Sequence, residues 1–202
     1  MKKIIPTLIA TVALAVPAAA QQAMSFASML GQARGKILQS HAAQIKDKQT
    51  NLAQEIGRAA DDVARLEGDL KDLNKAIDEV RTRSRRYPDR LLGEAAQRLA
   101  WGLRGFYTSA DYLSAHAARL RRFVRYGDPS LVKPVDELYG AAKHLRFKAE
   151  LMANASWNAA DDLRRVGFEL EASSVRQQTV DAVNAARDLE MESWRLRAAV
   201  GK

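Results

Sequence analysis

Two runs of arginine dominate the chemistry available to this 202-residue chain. Arg81, Arg83, Arg85, Arg86 and Arg90 surround Tyr87, and Arg119, Arg121, Arg122 and Arg125 surround Phe123 and Tyr126. A guanidinium grips phosphate or carboxylate through paired hydrogen bonds and stacks on aromatic faces. The candidate binding patch is therefore Arg81, Arg83, Arg85, Arg86, Tyr87, Arg90, Arg119, Arg121, Arg122, Arg125 and Tyr126. It suits an anionic polymer, an anionic lipid surface or an acidic partner protein. The bland alternative is a bundle tip whose aromatics make a local core while the arginines solvate the outside. Charge placement keeps the first reading open. Residues 81–127 hold eleven arginines, no lysine and only Asp89, Glu94 and Asp111 as acids, a net of +8, while 21–80 and 128–202 each carry −1. The same stretch holds seven of the thirteen aromatics: Tyr87, Trp101, Phe106, Tyr107, Tyr112, Phe123 and Tyr126. Most of these rings are expected in the core under either reading.

Other chemistry finds no support. A carboxylate-bridged di-metal bundle needs Glu-x-x-His on two helices. Leu38, Leu113 and Ala141 stand three residues before His41, His116 and His144, so that motif is absent. No two histidines have the spacing of helix ligands. The chain has no cysteine, which removes thiol nucleophiles, disulfides and haem or iron–sulfur attachment. Neither a glycine-rich phosphate loop nor a Gly-x-Ser-x-Gly elbow occurs. Asp61/Asp62 and Asp161/Asp162 are adjacent pairs, whose members point about 100° apart on a helix, and read as solvated faces. No enzymatic activity, cofactor or metal is expected.

The elements that carry the arginines are helices. From Leu38 to Val80 apolar residues alternate at spacings of four and three. One set is Leu38, Ile45, Leu52, Ala59, Leu66, Leu73 and Val80; the other is Ala42, Gln49, Ile56, Val63, Leu70 and Ile77. That heptad pattern predicts a long helix with a coiled-coil-like seam, ending near Arg86 because Pro88 drives its predecessor out of the α region. Asp128-Pro129 reads as an N-cap with proline at the first helical position. A second seam then runs from Leu138 to Leu170 and resumes out of phase from Val175 to Val200, which reads as a stutter near Ser173-Ser174. Between the arms, Leu91 to Trp101 and Tyr112 to Val124 suggest helix, with a weak point at Gly102 and Gly105. Ala59-Ala60-Asp61-Asp62 recurs as Ala159-Ala160-Asp161-Asp162, each followed by an Arg and a Leu in register; chance in two alanine-rich helices explains it better than duplication. Within each copy the (i, i+4) spacing predicts ion pairs Asp61–Arg65 and Asp161–Arg165.

The fold class expected is all-α: an elongated antiparallel helical bundle with two long coiled-coil-like arms and a shorter helical centre. Residues 1–20 form a leader, with Lys2 and Lys3, an apolar run Ile4–Val16 and a cleavage site Ala18-Ala19-Ala20 before Gln21. The apolar run spans only roughly 20 Å as a helix, short of a membrane core of about 30 Å. The domains expected are thus 1–20 signal peptide and 21–202 a single helical domain, divided into 21–86 first long helix, 87–127 basic aromatic middle and 128–202 last long helix. The location expected is periplasmic or secreted.

In layout the chain resembles the exported minor-pilus subunits of type IV secretion and conjugal transfer systems, on its leader, its arm lengths and its short insert ending Tyr126-Gly127. The resemblance implies long paired helices with a smaller helical appendage, and a role in pilus assembly or tip adhesion by contact. A periplasmic holding chaperone for envelope proteins and a binding module for anionic lipid or cell-wall polymer are the alternatives. Protein partners in the cell envelope are expected, with self-association through the arms and an anionic surface or polymer also open; export argues against nucleic acid.

Overall fold

The computed structural model describes residues 18–86 and 90–201, with side chains described continuously from Asp47. The leader through Pro17, Tyr87 and the side chains of Leu38, Ala42 and Ile45 lie outside the described residues. Four helices account for nearly all of the rest: α1 (Ala18–Arg86), α2 (Arg90–Arg121), α3 (Pro129–Arg165) and α4 (Glu169–Val200). The chain divides into two units, Met1–Asp47 and Lys48–Lys202. The described part of the first is helix from Ala18 onward. The second is an all-α helical bundle.

Its helix directions follow from paired side chains. Glu67 of α1 meets Lys148 and His144 of α3, and Arg81 meets Asp162, equal steps along both helices, so α1 and α3 run parallel. Glu79 pairs with Arg98 and Leu73 lies beneath Gly102, which sets α2 antiparallel to α1. Asp136–Arg197, Glu150–Arg187 and Asp161–Arg176 descend in opposite order, so α3 and α4 are antiparallel. Helix α4 packs on both α2 and α3. The α2–α3 loop passes across the end of α4, where the Gly127 N–H donates to the Val200 carbonyl at 3.0 Å.

The heptad seam of the first arm is the core of the bundle. Ile56, Ala59, Val63, Leu66, Leu70, Leu73, Ile77 and Val80 are all buried, while Leu52 is half-buried against the core. In α3, Leu138, Ala142, Leu145, Ala149, Met152, Ser156, Ala159 and Leu163 are buried as their spacing predicts, and in α4 so are Val175, Thr179, Ala182, Ala186, Leu189, Ser193, Leu196 and Val200. Alanine at so many of these positions lets helix axes approach closely. The polar members are satisfied in part by each other: Ser156 and Thr179 hydroxyls hydrogen-bond at 2.8 Å, and Thr179 donates to the Val175 carbonyl.

Three expectations need correction. The last arm is two helices, not one. The chain reverses at Val166-Gly167-Phe168, where Gly167 takes φ +89°, its N–H donates to the Arg164 carbonyl, and the Phe168 N–H reaches back to Leu163. This is a Schellman ending, in which a left-handed glycine closes the helix and an apolar residue after it packs back; Phe168 does so against the core. The phase change read as a stutter is the start of a new helix, and Leu170, assigned to the seam, is 85% exposed in its first turn. The helical centre is unbroken. Gly102 serves close approach instead: a Cβ there would come within 2.8 Å of Leu73. Finally, the expected ion pairs Asp61–Arg65 and Asp161–Arg165 form one residue later. Asp62 pairs with Arg65 at 3.0 Å, Asp162 with Arg165 at 2.7 Å, and Asp161 reaches across to Arg176 on α4.

Candidate interaction surface

The arginine patch does not assemble in one place. Its two clusters lie at opposite ends of α2, whose 32 residues separate them by roughly 45 Å at 1.5 Å per residue. Arg83, Arg85 and Arg86 fill the last turn of α1, and Arg119 and Arg121 that of α2. Cations there complement the negative end of the helix macrodipole, a structural use for much of the charge excess.

Several of the guanidiniums are also committed to carboxylates. Arg81 faces Asp162 at 3.7 Å, an ion pair longer than a hydrogen bond, between a side chain one-third exposed and one almost fully buried. Arg83 and Arg98 both reach Glu79 at 3.0 Å, tying α1 to α2. Arg90 pairs with Glu94 at 3.3 Å in the open. Arg121 holds Glu192 of α4 at 3.3 Å, a carboxylate shared with Arg195. Arg119 lies over the Tyr112 ring, 5.9 Å from its centroid, and Tyr112 stacks on His116. Arg85, Arg86, Arg122, Arg125 and Tyr126 remain exposed. Arg85 and Arg86, with Asp78, Arg81 and Thr82, line a shallow hollow on α1. What remains of the patch is therefore one exposed group at each end.

The aromatics are not in the core. Of the described rings in the central stretch only Phe106 is buried; Trp101, Tyr107, Tyr112, Phe123 and Tyr126 are all exposed. The apolar volume they were expected to supply comes instead from leucine and alanine in the four seams. The remaining tryptophans lie outside as well, and sequence reasoning passed over them. Trp157 and Trp194 sit along the edge where α3 meets α4. There they alternate with the cross-helix pairs Asp136–Arg197 at 2.7 Å, Arg146–Glu190 at 2.5 Å, Glu150–Arg187 at 2.9 Å and Asp161–Arg176. Tyr139, Arg187, Glu190, Met191 and Trp194 line a groove on this edge, and Arg197 covers the Tyr139 ring at 5.2 Å. A signal was available: the seam positions before these tryptophans are Ser156 and Ser193, so the register itself turns Trp157 and Trp194 outward.

Two glutamates in these networks are held below the usual carboxylate range. For Glu150 the main cause is the hydrogen bond from Arg187, reinforced by Arg146; for Glu67 it is the hydrogen bond from Lys148, reinforced by His144. Among the described residues no group of three or more His, Cys, Asp or Glu could hold a metal ion, and no helix is long and apolar enough to cross a membrane. Comparison of the chain with protein-family models, with curated proteins and with solved structures finds no match.

Proposed function

We propose that this chain is a non-catalytic interaction protein of the cell envelope, a structural or assembly component that works through the surfaces of its helical bundle. One observation carries the proposal. All three tryptophans are exposed, Trp101 at 73%, Trp157 at 41% and Trp194 at 53%, in a protein whose core is built from leucine and alanine. Tryptophan is usually well buried within a fold. It is enriched where proteins meet, because a large rigid ring gives much contact area for little lost entropy. The cross-helix ion pairs around Trp157 and Trp194 hold that edge in a fixed shape, which favours specific contact over indiscriminate capture. The leader read in residues 1–20 supports the envelope as the location. Within that class, a subunit of a type IV secretion or conjugal transfer pilus is the assembly component whose layout the leader and paired helices resemble.

The test uses the triple substitution Trp101→Ala, Trp157→Ala and Trp194→Ala, with a photo-cross-linking residue placed at 194 in parallel. The expected result is a melting temperature within a few degrees of the parent, loss of function in the native host, and one stoichiometric envelope protein captured from position 194. A smear of outer-membrane clients would favour a holding chaperone instead. Unchanged function in the triple variant, with nothing captured, would overturn the proposal.

A further inference from the structure

The α2–α3 loop has a feature that contact between proteins does not require. Phe123 is 71% exposed and Tyr126 83% exposed, and Arg119, Arg122 and Arg125 are exposed beside them. Among the described residues no carboxylate pairs with these three arginines. The nearby acids are already engaged: Asp128 accepts from the Ser130 N–H and hydroxyl as the α3 N-cap, and Glu192 is shared by Arg121 and Arg195.

Nor do the rings hang on a loose segment. Val124, between them, packs against the core. The Gly127 N–H is bonded to Val200 of α4, and Arg121 anchors the loop start on Glu192. The Tyr126 ring rests against Gly201, where a Cβ would come within 2.8 Å of it. Gly201 has φ +97°, so glycine there satisfies both the backbone and the ring. The fold thus holds two aromatic rings in water, beside three exposed guanidiniums that no described carboxylate neutralises, Arg119 resting over Tyr112 and donating to the Ala115 carbonyl.

We propose that this loop docks on an anionic phospholipid surface, with Phe123 and Tyr126 entering the interfacial layer and Arg119, Arg122 and Arg125 meeting headgroup phosphates. Aromatic rings favour the boundary between headgroups and acyl chains. Arginines near an anionic leaflet add attraction that weakens with distance over a Debye length. A protein partner fits the loop less well, since a stable interface buries about 800 Å² per partner, far more than two rings on a seven-residue loop. A single nucleic-acid strand needs a run of rings along a basic groove; here the rings cap a loop. The inference goes beyond the assembly reading and does not depend on it, because the tryptophan surfaces are untouched by the variants below.

The absence of cysteine makes the test site-specific. In the full chain, Phe123→Cys and Arg90→Cys are each labelled with a polarity-sensitive dye and mixed with vesicles of phosphatidylglycerol and phosphatidylcholine or of phosphatidylcholine alone. The dye at 123 is expected to shift to the blue only on the anionic vesicles, and the dye at 90 on neither. At about fivefold per arginine near an anionic surface, Arg122→Gln with Arg125→Gln should weaken vesicle binding roughly 25-fold. Phe123→Ser with Tyr126→Ser should weaken it about tenfold or more, while Arg85→Gln with Arg86→Gln at the far end leaves it unchanged. All variants are compared at equal helicity by circular dichroism. A dye at 123 that never moves, full binding by both loop variants, or binding of an oligonucleotide in place of vesicles would each overturn the proposal.

Discussion

Removing the carboxylate of Asp162 tests how the bundle uses its charge. Asp62 and Asp162 stand in the same local sequence, yet Asp162 is 7% exposed and faces Arg81 on α1 as well as Arg165, while the Asp62 side chain is half-exposed and, among the described residues, pairs with Arg65 alone. Removing one partner of a fully buried ion pair costs about 3–5 kcal/mol, because the other charge is left without compensation. Here Arg81 keeps 33% of its side chain in water, and its Nε already lacks a hydrogen-bond partner, so about 1–3 kcal/mol is the fitting range. An acid in the last turn of α3 also opposes the helix dipole, and its removal returns about 0.3–1 kcal/mol. The net expectation for Asp162→Ala is a loss of about 1–2 kcal/mol, a fall in Tm of roughly 2–8 °C for a domain of this size. Asp62→Ala should cost under about 0.5 kcal/mol, as exposed pairs do. Thermal melts by circular dichroism at pH 7 measure both. Adding Arg81→Gln to Asp162→Ala should recover part of the loss, since the stranded charge goes with it. Equal effects from the two aspartates, or strict additivity of the pair, would refute the reasoning.

Two further outcomes follow from named positions. Gly167→Ala forces an L-residue to φ +89° at the α3–α4 reversal and should lower stability by about 1–2 kcal/mol by thermal melts, with helix content unchanged. Because Glu67 and Glu150 are held below their ordinary value of 4.5, the stability they contribute is present above that pH and is lost as pH falls through their lower folded values. Both side chains keep roughly a third of their surface in water, so the effect is modest: the double variant Glu67→Gln, Glu150→Gln should show a shallower fall of Tm below pH 4.5, and an acid limb identical to the parent's would count against it.

The parts of the fold that were legible in the sequence are those set by period. From Ile56 to Val80 every assigned seam residue is core, because apolar spacing of four and three can be buried in only one way. The reversal at Gly167 was missed because Ala159, Leu163 and Val166 continue smoothly toward Leu170, and a seam shows where a helix faces without showing where it stops. The glycine and the aromatic after it held that information. Aromatics were assigned to the core by type, but type does not fix face. Trp157 beside Ser156 and Trp194 beside Ser193 are placed outside by register alone. The arginine clusters looked like one patch because sequence distance hides the length of a helix between them.

The position of α4, packed on both α2 and α3 and crossed at its end by the loop between them, has a consequence for the order of folding. A chain emerging N-terminus first can form each of its first three helices, but Leu92, Leu99, Leu145 and Met152 belong to a core that α4 completes. Of the four helices, α4 arrives last. Until then the earlier helices hold apolar seams open to water, so the bundle closes as one late event, and a chain stopped after Arg165 would keep those seams bare.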